Sequence, residues 1–169
     1  TPRPTALAAV ETTPQPTEAP AEPTTTDVPA DAVATSVPGQ GDHFVLYYDD
    51  TAFYFRNASA NDRPINPVAF ERLDKHGKAT NRFDGSRWAQ IYPTSRAGTC
   101  EVVALIDYTS HLDPAECANH HIVVRTPFAK DPSIFWTTEK MATQFRVLWN
   151  NIEVGRCDIA AKLCDVYLP

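Results

Sequence analysis

The chain is poor in the residues and runs that mark several large protein classes. No stretch of 18 or more apolar residues occurs in its 169 positions, so no membrane-spanning helix is expected. Thr1 begins no signal peptide, because no basic segment followed by an apolar one stands at that end. The expectation is that a signal or anchor was removed, or that this is the C-terminal part of a longer protein. Glycine is scarce: after position 41 only Gly77, Gly85, Gly98 and Gly155 remain, and neither GxGxxG nor GxxxxGK[ST] occurs. Phosphate-cradling nucleotide folds are thereby disfavoured. There are four cysteines, none in a CxxC spacing, which argues against a zinc ribbon or a thioredoxin-type motif.

Composition changes abruptly near residue 41. Residues 1–41 hold eight of the fifteen prolines, nine threonines, eight alanines and no aromatic residue. Such a tract cannot bury enough apolar surface to offset the entropy lost on ordering, and it is expected to be a disordered linker or stalk. Extended as polyproline II at about 3.1 Å per residue, it would span roughly 130 Å. Thr-Pro-rich stalks also accept O-linked sugar. Residues 42–169 are a normal size for one domain with its own core.

The cysteines all lie in that second part. Three pairings are possible, and short closed loops favour Cys100 with Cys117 and Cys157 with Cys164. Four free buried thiols are the alternative. By the chain-entropy relation the first loop would contribute about 3 kcal/mol and the second somewhat less. Disulfides belong to oxidising compartments, so a secreted or cell-surface location is expected.

Apolar residues in the domain recur mostly with period two. Phe44, Leu46 and Tyr48 alternate with Val45 and Tyr47, and after Asp49-Asp50 the pattern resumes at Phe53 and Phe55, describing a hairpin. A second hairpin joins Val68–Leu73 to Ala79–Phe83 around Gly77. The runs 100–108 and 122–125 read as further strands. Phe145, Val147 and Trp149 precede Asn150-Asn151, a pair tolerant of positive φ, and Ile152 and Val154 follow: this is the strongest hairpin signal. Val166–Leu168 would supply a last strand. Eight or nine such strands predict an all-β fold, an antiparallel β-sandwich of immunoglobulin-like type. Helix is expected only as short turns near Pro67–Arg72, Asp84–Gln90 and Pro114–Ala118, the last with Asp113 as N-cap and Pro114 at N1.

The net charge of −6 is unevenly placed. The first 41 residues carry five acids and one base, and a nucleic-acid partner is not expected. Residues 56–96 carry eight bases against four acids, which reads either as ordinary solvated strand faces or as a basic face for an anionic glycan or wall polymer. Within that window Arg82, Arg87, Trp88 and Tyr92 are the candidate ligand-binding residues. Trp88 beside Arg87 in a polar stretch could stack on a sugar, although most large aromatics in such folds, Trp149 among them, are core. Asn57-Ala58-Ser59 matches a glycosylation acceptor.

Catalytic patterns are weaker. Ser110, His111, Asp113 and Glu116 carry triad chemistry, but close neighbours in sequence point apart, and a triad is assembled from separate segments. His120 and His121 would face opposite sides of a strand. With His111, Asp113 and Glu116 they could ligate a metal, at spacings that specify none. Asp49-Asp50 reads as turn chemistry before calcium chemistry. No catalytic residue, metal or cofactor is assigned.

The Pro/Thr-rich tract, Phe55–Ser59, Arg82–Trp88 and the run Phe145–Asn151 before a Cys pair together resemble C-terminal extracytoplasmic domains of bacterial envelope proteins, some of them membrane-anchored Ser/Thr kinases. Residues 52–83 are also similar to the strand pattern of lamin-tail-like immunoglobulin-type modules, without the Trp usual there. The resemblance implies a β-sandwich sensing or adhesion module and carries no catalytic residue with it. The expected function is non-catalytic recognition of a glycan or envelope protein, tethered to a membrane or another domain through the stalk. The alternatives are a scaffold subunit assembling through sheet edges and a metal-dependent hydrolase.

Overall fold

The computed structural model describes residues 40–106, 114–117, 120–126 and 131–169. The expected stalk and the Ser110, His111 and Asp113 positions lie outside the described residues. In chain order the elements are β1 (Asp42–Tyr48), β2 (Ala52–Asn57), β3 (Arg63–Pro64), β4 (Val68–Leu73), β5 (Ala79–Asp84), α1 (Ser86–Ala89), β6 (Thr94–Ser95), β7 (Cys100–Leu105), β8 (His120–Thr126), β9 (Gln144–Trp149), β10 (Ile152–Asp158) and β11 (Leu163–Leu168). They form a five-stranded sheet ordered β11-β1-β2-β7-β8, a four-stranded sheet ordered β10-β9-β4-β5, and a small β3-β6 pair. Every pairing is antiparallel except β7 with β8. That exception to the all-antiparallel expectation follows from the connection: the chain leaves β7 at Leu105 and returns to β8 only at His120, through a 3₁₀ turn at Ala115–Cys117. A crossover of that length allows parallel entry, which a tight hairpin does not.

Alternation builds the core. Phe44, Leu46 and Tyr48 of β1 and Phe53 and Phe55 of β2 project from one face of the five-stranded sheet into a single cluster with Val68, Phe70, Phe83, Phe145 and Val147 of the four-stranded sheet. Rings from the two sheets touch directly, Phe53 with Phe70 at 5.0 Å and Tyr48 with Phe145 at 5.2 Å between centroids. The opposite face of the five-stranded sheet is also apolar. There Ala52, Tyr54, Val102 and Ala104 pack with the Cys100–Cys117 disulfide, which holds the turn after Pro114 onto the sheet.

Of the two expectations at residues 67–73, the hairpin strand Val68–Leu73 is observed and the helical turn at Pro67–Arg72 is not. Val68–Leu73 is β4, wholly buried and paired on both sides, with β5 and with β9. A central strand gains two ladders of backbone bonds, and the local helical preference loses to them. The short helix at Ser86–Ala89 and the 3₁₀ turn at Ala115–Cys117 fall within the other two expected helical segments. The α1 entry needs Gly85, since a Cβ there would lie 2.3 Å from the Ile65 carbonyl oxygen.

The turns follow their residues. Asp49 Oδ1 accepts from Thr51 N, Thr51 Oγ1 and Ala52 N at 2.7–2.9 Å, closing the β1–β2 tip by side-chain capping. Asn150 and Asn151 have φ of 51° and 64°, the left-handed pair of a two-residue hairpin between β9 and β10. The Cys157–Cys164 disulfide joins β10 to β11, and so ties one sheet to the other at a corner.

Candidate functional site

One of the residues expected to read a ligand is not at the surface. Trp88 is fully buried: its ring stacks on Phe55 at 5.9 Å and packs against Phe83 at 4.7 Å, and its Nε1 donates to the Val102 carbonyl at 3.0 Å. The α1 turn places residue 88 inward and its neighbours outward, so Trp88 is core and cannot stack on a sugar. Arg87 lies over the Phe83 ring at 5.2 Å, and Tyr92 is 44% exposed.

Arg82 belongs to an ionic row. Arg82 of β5, Glu71 of β4 and Arg146 of β9 stand in register across the four-stranded sheet. Glu71 takes Arg82 at 2.8 Å and Arg146 at 2.7 Å; Arg82 also reaches Asp84 at 2.7 Å, and Glu153 holds Arg156 at 2.9 Å and Arg146 at 3.5 Å. Burial alone would raise the Glu71 carboxyl, but hydrogen bonds from Arg82 and Arg146 hold it below the usual value. Three guanidinium groups thus face three carboxylates. Elsewhere in the basic window Arg63 pairs with Asp42 at 3.0 Å, and Arg72 is buried. The excess of bases along residues 56–96 therefore does not become a free cationic face at Arg63, Arg72 or Arg82.

Asn57 is likewise inside. Its Nδ2 donates to the carbonyls of Asn61 at 2.8 Å and Ser95 at 3.1 Å, while its Oδ1 accepts from Ser59 N and Oγ. Both amide protons are used, and the folded protein offers no glycan acceptor at this sequon. A second buried polar group is Glu101, which faces the core from β7 and accepts from Ser95 Oγ at 2.8 Å; burial pushes its carboxyl up to about 7. Among the described residues no group of three or more His, Cys, Asp or Glu is placed to hold a metal ion. Asp49 and Asp50 serve the tip turn and an ion pair to Lys162 at 2.8 Å.

A concave site does exist at the β1–β2 tip. A cavity of about 240 Å³ is lined by Asp50, Leu105, Ile134, Thr137, Thr138 and Glu139. Leu105 N donates to the Thr51 carbonyl, which brings the end of β7 beside the tip. The third wall is the 131–141 segment, plugged into the core by Ile134, Phe135 and Trp136. Trp136 Nε1 donates to the Asp49 carbonyl at 2.9 Å, fixing that wall to the tip. Beneath it the buried Arg72 guanidinium donates to Asn81 Oδ1 at 2.6 Å and Thr137 Oγ1 at 3.1 Å and lies 3.7 Å from Glu139. Of these groove residues only Asp50 was singled out from sequence, with Asp49, as turn chemistry before calcium chemistry. The available signal was the triplet Ile134-Phe135-Trp136, an apolar run without strand alternation followed by Thr-Thr-Glu.

The sheet edges are unequal. β5 presents its outer N–H at Arg82 to the Pro132 carbonyl at 2.9 Å, so the 131–133 segment covers part of that edge. β10 carries an irregularity between Glu153 and Gly155 and is cross-linked to β11. β8 is the outermost strand at the other end of the five-stranded sheet.

Compared with known proteins, the chain matches no family model, no curated protein and no solved structure. What the fold defines is the class: a mostly β domain with antiparallel sheets and two disulfides, the latter fitting an oxidising, extracytoplasmic setting.

Proposed function

We propose that residues 42–169 are an immunoglobulin-like β-sandwich, secreted or held at the cell surface by the Thr/Pro-rich tract, and that they act as a non-catalytic recognition module. Two sheets sharing one aromatic core support the sandwich reading. The observation that carries the function is where the groove lies. The Thr/Pro-rich tract joins β1 at Asp42, and the groove begins beyond the other end of the same strand, at Asp50. Seven residues at about 3.3 Å each separate the attachment point from the site by roughly 20 Å. A groove at the end of β1 opposite Asp42, where the tract joins, supports a role in contact with an outside partner.

The test is retention of the full chain on insoluble envelope polysaccharide, wild type against Thr138→Val. Thr138 lines the groove and is exposed, so the change removes a hydroxyl without opening the core. Retention lost in the variant supports the reading; equal retention of the two proteins refutes it. A second reading, a scaffold subunit pairing through a sheet edge, draws on β8, an edge strand of the five-stranded sheet. Concentration-dependent mass by light scattering would reveal it.

A further inference from the structure

We infer that the tip groove takes a neutral, hydroxyl-rich ligand the size of one sugar ring, and not an anionic polymer or an amine. The inference rests on the recognition reading above and narrows its ligand. Four features of the groove carry it.

The first is charge. Two carboxylates line the groove, yet each has a cation of the protein's own: Asp50 meets Lys162 Nζ at 2.8 Å, and Glu139 lies 3.7 Å from the Arg72 guanidinium. Among the described residues the lining therefore offers no uncompensated charge for a charged ligand to match. No base is among the described lining residues, and a phosphate or uronate would need one as its partner.

The second is hydrogen-bonding type. Carboxylate oxygens only accept, and the Thr137 and Thr138 hydroxyls both donate and accept. A complementary ligand must bring several donors that also accept, which describes hydroxyl groups. Thr137 Oγ1 already receives one bond from Arg72, which leaves its proton for donation.

The third is the apolar part of the lining. Leu105 and Ile134 give the cavity a hydrophobic patch, suited to the C–H face of a pyranose and unsuited to a strongly hydrated ion. The fourth is size. About 240 Å³ falls below the roughly 300–1,000 Å³ of drug-sized pockets, so one ring fits and the remainder of a polymer stays outside.

Affinity electrophoresis of the full chain in native gels tests this, with neutral glucan, galactomannan and xylan as one set of probes, polygalacturonate as the anionic probe and chitosan as the cationic one. The expected result is retardation by at least one neutral polysaccharide, unchanged within about twofold between low and high salt because no ion pair is involved. Thr138→Val should abolish it and Arg87→Ala should leave it intact. Asp50→Asn, which keeps an acceptor oxygen and removes the charge, should weaken it less than about tenfold. Circular dichroism of each variant separates lost binding from lost folding. Retardation only by polygalacturonate or only by chitosan, fading in salt, overturns the neutral class; if Thr138→Val still abolishes it, recognition at the groove stands. Retardation by none of the probes overturns both the ligand class and the recognition reading.

Discussion

Trp88 and Val102 are joined by a hydrogen bond in the interior, indole Nε1 to carbonyl oxygen at 3.0 Å, linking the short helix after β5 to the middle of β7. The bond satisfies the single polar atom of a large buried ring and fixes its orientation between Phe55 and Phe83. Trp88→Ala is therefore expected to cost about 3–5 kcal/mol in urea unfolding. Trp88→Phe, which keeps a smaller aromatic ring and removes the N–H donor, should cost about 1–3 kcal/mol. A surface Trp would show neither loss.

Glu101 makes stability depend on pH. Burial raises its carboxyl from the ordinary 4.5 to about 7, against the opposing pull of the Ser95 hydrogen bond. Between those values the native state keeps a proton that the unfolded chain has released, so stability falls as pH rises. The penalty is absent below pH 4.5 and complete above about 7, and is of order 3 kcal/mol. Glu101→Gln should flatten that part of the profile and raise the urea midpoint at about pH 8 relative to wild type. Parallel profiles for the two proteins would contradict the assignment.

Folded protein secreted from a glycosylating host should carry no N-linked glycan at Asn57, because a glycosylated amide could not make its buried bonds to Asn61 and Ser95 and that fraction would not reach this fold. Endoglycosidase treatment should leave the mass of the 42–169 region unchanged. Asn57→Ala should destabilise by about 2–4 kcal/mol, since it leaves two carbonyls and the Ser59 amide without their partner in a buried corner.

The Cys157–Cys164 bridge closes a short loop, and the chain-entropy relation gives it about 2.5 kcal/mol. Cys157→Ala/Cys164→Ala is expected to lower stability by about that amount. Because the bridge ties β10 to β11, amide exchange should quicken mainly at that corner, and much less at β2 and β4. Amides of β2 and β4 that exchange only through global unfolding should quicken by no more than the stability loss itself, and a larger acceleration there than at the corner would contradict the local role.

The hairpins, the Asn150-Asn151 turn and the disulfide loops were legible because each is set by neighbours in sequence. Period-two alternation selects a strand face, a pair of asparagines tolerates positive φ, and short spacing favours the closures that Cys100–Cys117 and Cys157–Cys164 make. The apolar alternation in β1 and β2 likewise announced which rings would fill the core.

What the chain alone left open was which polar-looking segment lies inside and which residues meet. Arg87 and Trp88 are adjacent in sequence, yet one turn of helix sends the indole under β7 and leaves the guanidinium over Phe83. Arg82 meets Glu71 only because register sets the two side by side, while Asp84 is its neighbour two residues on along the same strand. The groove draws Asp50, Leu105 and Thr137–Glu139 from three distant stretches, brought together by the Trp136 bond to Asp49 and by the buried Arg72. Most of the hairpins here follow from local sterics and periodicity, while the parallel β7–β8 pair does not. Burial and the candidate site are products of long-range packing, where a favourable contact depends on partners that no local pattern names.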